Sequence, residues 1–348
     1  MGSSVRAGGP YPGVVTVDRV LLAQPRGFCA GVEMAIKALA WMVKVHEPPV
    51  YCYHEIVHNQ LVVDRFRELG VVFVNDVAEV PVGAPLMLSA HGTAPEVVAQ
   101  ARAHGGAVVD AVCPLVTKVH HEVKVRAGKG YTVLYIGHEG HDEAVGTMAV
   151  APDSVVLVEH EEDVAALDLP SDTPVALLAQ TTLAMQDWAG VKDKAAERFP
   201  ELWMPGRSDL CFATTNRQTA LQAIADKADA VIVIGSENSS NTRALEKTAR
   251  NAGCKRVFRV NDADEVPLDL HGVVGVTAGA SAPEELVEAV LARLAPVHGV
   301  EHVEVTQEDE YFPPPRELRT LLADRGLGEA LVDDRSVSAS EVLAALRP

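Results

Sequence analysis

Short apolar runs recur along this chain, separated by longer stretches of mixed polarity. VDRVLLAQ, PVYCYHEI, VVFVN, APLMLSAHG, VVDAV, TVLYIGH, VVLVE, PVALLAQ, AVIVIGS, RVFRVN and VVGVTAG are Val/Ile/Leu-rich, and most of their apolar cores are continuous rather than alternating. Strands buried on both faces read this way, as in a parallel sheet. Between the runs, TTNRQTALQAIADKA and TRALEKTARNAG repeat apolar positions with a period near 3.6, and the second stops at Gly. Strand and helix alternate, which predicts an α/β protein with mostly parallel sheets.

Three cysteines occupy near-equivalent places in this alternation. Cys29 lies in QPRGFCAGVEMAIKAL, Cys113 in VVDAVCPLVTKVHHEV and Cys211 in GRSDLCFATTNRQTALQ. Each follows an extended segment, opens a helical stretch, and has a cation within about two turns: Lys37, Lys118 or Arg217. A helix N-terminus favours thiolate over thiol, and soft sulfur ligands select zinc, copper(I) or an iron–sulfur cluster. Three buried free thiols is the alternative. Cys52 within a strand and Cys254 after a helix-stopping Gly read as ordinary thiols.

The cysteine spacing divides the chain into α/β units at 17–112, 113–209 and 210–300. Residues 1–16, rich in Gly, Ser and Pro in MGSSVRAGGPYPG, read as a disordered tail. Residues 301–348 hold a C-terminal strand, the prolines of YFPPPRELR and two short amphipathic patterns, LRTLLADRG and SEVLAALRP. That tail packs on the body or engages a partner; the pattern does not decide.

Composition narrows the function. A net charge of −18 over 348 residues with 5% aromatics argues against a general nucleic-acid or anionic-membrane binder. No run of about 18 apolar residues and no basic-then-apolar start are present. A cytoplasmic, reducing setting without disulfides is expected.

The unusual polar residues fall at strand exits: HEIVHN, SAHGT, GHEGHDE, QTT, GSENSSN and TAGAS. Ligands bind at the carboxyl ends of strands in open parallel sheets, so these exits and the three cysteines predict one composite site. Thr93-Ala-Pro-Glu96 and Ser281-Ala-Pro-Glu284 both match a capping box. The TAGAS turn also offers an anion cradle, as do Ser239, Ser240 and Asn241. His58, His91 and His141 stand at strand exits. His138 and His141 are three apart, without a matching zinc ligand set. Glu143 is the carboxylate placed for acid work; Glu139 and Asp142 read as solvated.

PRGFCAGVEMAI, HEIVHNQLVVD, SAHGT, DAVCPLVTKVH, IGHEGH, EAVGT, QTTL, DLCFATTNRQ, GSENSSN and GVTAGASAP, in this order, resemble the 4-hydroxy-3-methylbut-2-enyl diphosphate reductase family over about residues 18–318. The resemblance implies a trefoil of three α/β domains around a [4Fe-4S] cluster held by Cys29, Cys113 and Cys211, with one iron open to substrate. It implies that His58, His91, Ser239, Asn241 and Ser281 hold a diphosphate with Ser240 nearby, and that His141, Glu143 and Thr181 surround the substrate hydroxyl and supply protons. It implies a reductive dehydroxylation in the methylerythritol phosphate route to isoprenoids, giving isopentenyl and dimethylallyl diphosphate, with an electron donor such as ferredoxin or flavodoxin. Asp142 stands where the family usually has Pro. The rival readings are a non-redox cluster enzyme, such as a dehydratase or a quinolinate-synthase-like enzyme, and an iron–sulfur sensor without catalysis.

Overall fold

The computed structural model describes residues 15–331 and 335–346. β1 (Arg19–Gln24) comes first in the chain but pairs with strands formed near its end. β2 (Val50–Tyr53), β3 (Val71–Val74), β4 (Leu86–Leu88) and β5 (Val108–Asp110) make a four-stranded sheet in the order β3-β2-β4-β5. β6 (Thr132–Ile136), β7 (Val155–Val158) and β8 (Val175–Ala179) make a three-stranded sheet with β6 central. β9 (Ala230–Ile234), β10 (Val257–Val260), β11 (Val273–Ala278) and β12 (Val300–Glu304) join β1 in a five-stranded sheet, β10-β9-β11-β1-β12. Every pair is parallel.

The apolar runs explain these elements. β8 and β9 are buried at every position, as strands covered by helices on both faces must be. β12 carries polar residues, lies at an edge and is largely exposed. The sheets do not follow the chain as three consecutive blocks: β1 lies in the sheet of 230–304 and not in that of 50–110.

A handover links the sheets. The Cys113 N–H donates to Ala90 O (3.0 Å) beyond β4, and its helix, Pro114–Ala127, packs Val119 and Val123 on β6 and β8. The Cys211 N–H donates to Thr181 O (3.0 Å) beyond β8, and its helix, Phe212–Ala225, packs Leu221 and Ile224 against β1 and β9. The Cys29 N–H donates to Ala280 O (3.1 Å) beyond β11, and its helix, Ala30–Val45, packs Ile36 and Leu39 on the four-stranded sheet. Each cysteine is tied to the exit of one sheet and sends its helix onto the next, so the three units close into a ring.

The C-terminal helices Arg316–Asp324 and Ala339–Ala345 pack on the body: Leu318, Leu322, Ala339 and Leu343 are buried with the helix Ala30–Val45. Of the expected N-terminal tail, residues 1–14 lie outside the described residues. Val15 is buried, and its N–H donates to Arg293 O. No helix among the described residues is long and apolar enough to cross a membrane.

Candidate functional site

A cavity of about 100 Å³ lies at the centre of the ring. Cys29, Cys113, Cys211, His58, His91, His141, Glu143, Thr181, Ser239, Ser240, Asn241 and Ser281 all line it. The sheets deliver them through their exits, where backbone leaves the ladder and side chains turn toward the common axis.

The three cysteines are the N-caps of their helices. The Cys211 Sγ accepts from the Thr214 N–H (3.2 Å) and lies 3.1 Å from Thr214 Oγ1. Val32, Leu115, Val116, Phe212 and Phe312 wall this end. Burial opposes the preference of helix starts for thiolate at two of the three. Burial, with a smaller contribution from neighbouring sulfurs, pushes Cys113 well up and Cys211 up to about 12, outweighing the N–H groups. The downstream cations are ion-paired elsewhere, and only Arg217 still acts, weakly, to lower a sulfur, that of Cys211. Lys37 pairs with Glu33 (3.2 Å), Lys118 with Asp209 (3.6 Å) and Arg217 with Glu308 (3.0 Å).

Among the described residues, only His58, His91 and Asp142 bring three ligand atoms within 4.8 Å of one another. The three sulfurs are therefore too widely spread for a single zinc ion, whose bonds of about 2.3 Å need thiolates within about 4 Å of each other. A larger, polynuclear group suits that spread. Gly31 leaves room for it: a Cβ there would stand 2.9 Å from Cys113 Sγ and 3.9 Å from Cys29 Sγ.

The opposite end is rich in donors. Ser239 is the N-cap of the helix Ser240–Asn251; its oxygen accepts from the Thr242 N–H (3.3 Å), which leaves its O–H to donate. Asn241 Oδ1 accepts from the Ala280 N–H (2.9 Å), which turns the amide nitrogen away from that turn. The Ser281 hydroxyl donates to His58 O (2.8 Å), joining two sheets' exits. Neither capping box forms. The helices begin at Pro95 and Glu284 with Ala94 and Pro283 as N-caps, and neither cap offers a side-chain bond. His58 and His91 stack with centroids 3.8 Å apart and planes at 11°.

Glu143 lies between the two ends. Its Oε1 accepts from the Thr181 N–H (2.7 Å) and its Oε2 from the Thr181 hydroxyl (3.0 Å). Burial pushes its carboxyl up to about 7 against those two bonds, with the Asp209 charge adding to the rise. His141 caps the helix Asp142–Met148, its Nδ1 accepting from the Glu143 N–H (3.2 Å), so the ring proton sits on Nε2. Burial and the His58 charge hold His141 down to about 3.

Asp142 is not the solvated residue expected. Desolvation opposes its charge, yet the hydrogen bond from His54, the largest of the lowering causes, helps hold its carboxyl well below the usual range. Its Oδ1 lies 2.7 Å from His54 Nδ1. The sequence reading also missed Thr214 beside Cys211, Phe312 in the cavity wall, and Glu308. Glu308 holds the fully buried Arg217, which donates to the carbonyls of Gly27 and Phe28 just before Cys29. The one signal for Thr214 is its position three residues after an N-cap.

A closed ring of three parallel sheets around a cavity with thiols at one end and imidazoles, hydroxyls and an amide at the other defines a class of α/β proteins that work at their centre. The family model described as LytB protein matches residues 20–295, and the chain belongs to that family. It is 46% identical over 316 residues to the 4-hydroxy-3-methylbut-2-enyl diphosphate reductase of Rhodopirellula baltica, covering 89% of this chain and 99% of that one. It is 47% identical over 319 residues to the reductase of the same name from Nocardia farcinica, covering 88% and 95%. The solved structure of the E-1-hydroxy-2-methyl-but-2-enyl-4-diphosphate reductase from Plasmodium falciparum superposes with a TM-score of 0.86 at 32% identity, covering 89% and 99%.

Proposed function

We infer that the chain carries the activity its relatives are named for: it reduces (E)-4-hydroxy-3-methylbut-2-enyl diphosphate to isopentenyl and dimethylallyl diphosphate. The observation that supports this most is the convergence of all twelve expected residues, drawn from three sheets, on one cavity with distinct sulfur and polar ends. Cys29, Cys113 and Cys211 hold an iron–sulfur cluster, read as [4Fe-4S] with one iron free of protein ligands. The spread of the sulfurs and the room at Gly31 fit it. When bound, the cluster supplies two electrons, taken from a donor of the ferredoxin or flavodoxin class, and Lewis acidity for the substrate hydroxyl.

The chain's residues bind, orient and move protons. Ser239, Asn241 and Ser281, with His58 and His91 and with Ser240 nearby, hold the diphosphate through charge-assisted bonds. The apolar walls keep water from the allylic end. Glu143, protonated in about half of the molecules near pH 7, holds a proton that Thr181 relays to the leaving hydroxyl. Neutral His141 donates from Nε2. The C–O bond breaks, the hydroxyl leaves as water, and the two electrons with a second proton make the new C–H bond at either allylic carbon.

An anaerobic assay with the diphosphate and a chemical reductant tests this. Both isomers should form as substrate is consumed. A protein with full iron and sulfide content that leaves the substrate untouched would refute the reading.

A further inference from the structure

Asp142 lies beside the imidazole end of the central cavity, in an adjoining cavity that His54, His58, His141 and Arg243 also line. Oδ1 is held by His54 Nδ1 at 2.7 Å. Oδ2 lies 3.7 Å from His91 Nδ1 and 4.0 Å from His58 Nε2. Those two ring nitrogens are buried, and neither has a hydrogen-bond partner among the described residues. The distances are too long for hydrogen bonds, yet short enough for strong coupling of charge. His54 is aimed by an uncommon backbone: its φ is +58°, and its own N–H donates to Val74 O at 2.9 Å.

Two ligands fit such a cluster, a cation shared by all three groups or an anion on the two rings. The planes of His58 and His91 differ by 11°. Their lone pairs therefore lie in two nearly parallel planes stacked with centroids 3.8 Å apart, and one metal ion cannot sit in both. Parallel, adjacent ring edges suit neighbouring oxygens of one anion, and Asp142 already presents an oxygen there.

We propose that Asp142 is a fixed anion beside the His58 and His91 ring nitrogens, close enough to a diphosphate held by those rings that it weakens and thereby sets the affinity of the site for the diphosphate. This rests on reading that end of the cavity as the diphosphate end. A diphosphate on those nitrogens brings its charge to about 4 Å from Asp142. Like charges at that separation repel by a factor of about five in affinity in bulk water, and by more in a partly buried site. Against this, the Asp142 charge favours protonated imidazoles. That support is largely ineffective at His91, where burial first and the His58 charge second hold the ring well below its ordinary value. Repulsion wins. Glu55, 3.5 Å from His58 Nδ1, brackets the pair from the other side and stays in place.

The test is calorimetry with inorganic pyrophosphate on anaerobic holoenzyme, comparing wild type with Asp142→Asn at matched iron content and melting temperature. Asparagine keeps the shape and an oxygen for His54. The variant should bind about fivefold tighter or better at low salt, with the gap narrowing as ionic strength rises. KM for the substrate should fall in the same direction while kcat changes by less than about threefold. Wild-type binding that Asp142→Asn leaves equal or weakens overturns the role of Asp142 alone. No pyrophosphate binding by either protein, with full iron content, overturns the diphosphate reading and this proposal with it.

Discussion

The two ends of the central cavity are built by the same device and demand opposite charges. Both take their side chains from strand exits and helix starts, and burial drives both toward neutrality: Cys211 up to about 12, His141 down to about 3. The sulfur end is walled by Val32, Leu115, Phe212 and Phe312, with Thr214 as the polar neighbour of Cys211. Thiolates persist there only with a cationic group to hold them. The polar end has hydroxyls, an amide and two unpartnered ring nitrogens, which the diphosphate proposed above would complete. Identical scaffolding thus gives two specificities, because desolvation makes each end depend on its own counter-charge.

The sharpest way to break this comparison is at the sulfur end. Cys113→Ser should lose iron, sulfide and turnover down to background. Cys52→Ser should keep all three, since Cys52 is buried in the four-stranded sheet away from the cavity. Equal losses in metal analysis would remove the distinction.

Next in size is the boundary between the ends. Glu143→Gln removes the titratable proton and should lower turnover by about 10²–10⁴-fold, with iron content and pyrophosphate binding intact. The donor is the protonated form and its carboxyl is pushed up to about 7. Wild-type turnover should therefore be full below about pH 7 and fall as pH rises through it. A pH–rate profile for Glu143→Gln without that limb ties it to this residue; an unchanged limb assigns it elsewhere.

A stability test sharpens what supports the sulfur end. Arg217 is fully buried, donates to Gly27 O and Phe28 O, and pairs with Glu308 at 3.0 Å. Glu308→Gln strands a buried charge, which costs about 3–5 kcal/mol, the lower figure applying because those carbonyls remain. Denaturant unfolding of the holoenzyme measures it. The smallest of these effects belongs to the polar end. Ser281→Ala should weaken pyrophosphate binding by about 1.5–3 kcal/mol without loss of iron; unchanged affinity in calorimetry would leave Ser281 as a tether of the His58 loop.

Much of this was legible in the chain because it is local. β8 and β9 read as buried strands since every position is apolar, and the site residues stood out as polar side chains placed just after such runs. What was illegible depends on distant partners. Nothing within RVLLAQ announces that it pairs with 273–276 rather than with 50–53. The capping boxes at Thr93 and Ser281 were misread because their helices start later: the Ser281 hydroxyl bonds a carbonyl 223 residues away. Phe312 reaches the cavity wall, and Glu308 the buried Arg217, from a proline-rich stretch without local periodicity. The burial that opposes thiolates at Cys113 and Cys211 was illegible for a related reason, since helix starts are visible in sequence whereas burial is tertiary.

The late partnership of β1 also has a consequence for how the protein is made. Arg19–Leu22 pair with Val273–Val276, so β1 waits for partners made about 250 residues later. At about 5–20 residues per second, that is on the order of ten to fifty seconds of translation. Cys29 waits with it, because its N–H is anchored to Ala280 O. Cys113 and Cys211 are translated earlier than that anchor, yet they cannot form a three-sulfur set until the five-stranded sheet closes. If the three thiols hold the cluster as proposed, loading it waits for the closed five-stranded sheet, and a nascent polypeptide stalled before residue 273 offers isolated thiols instead of a site.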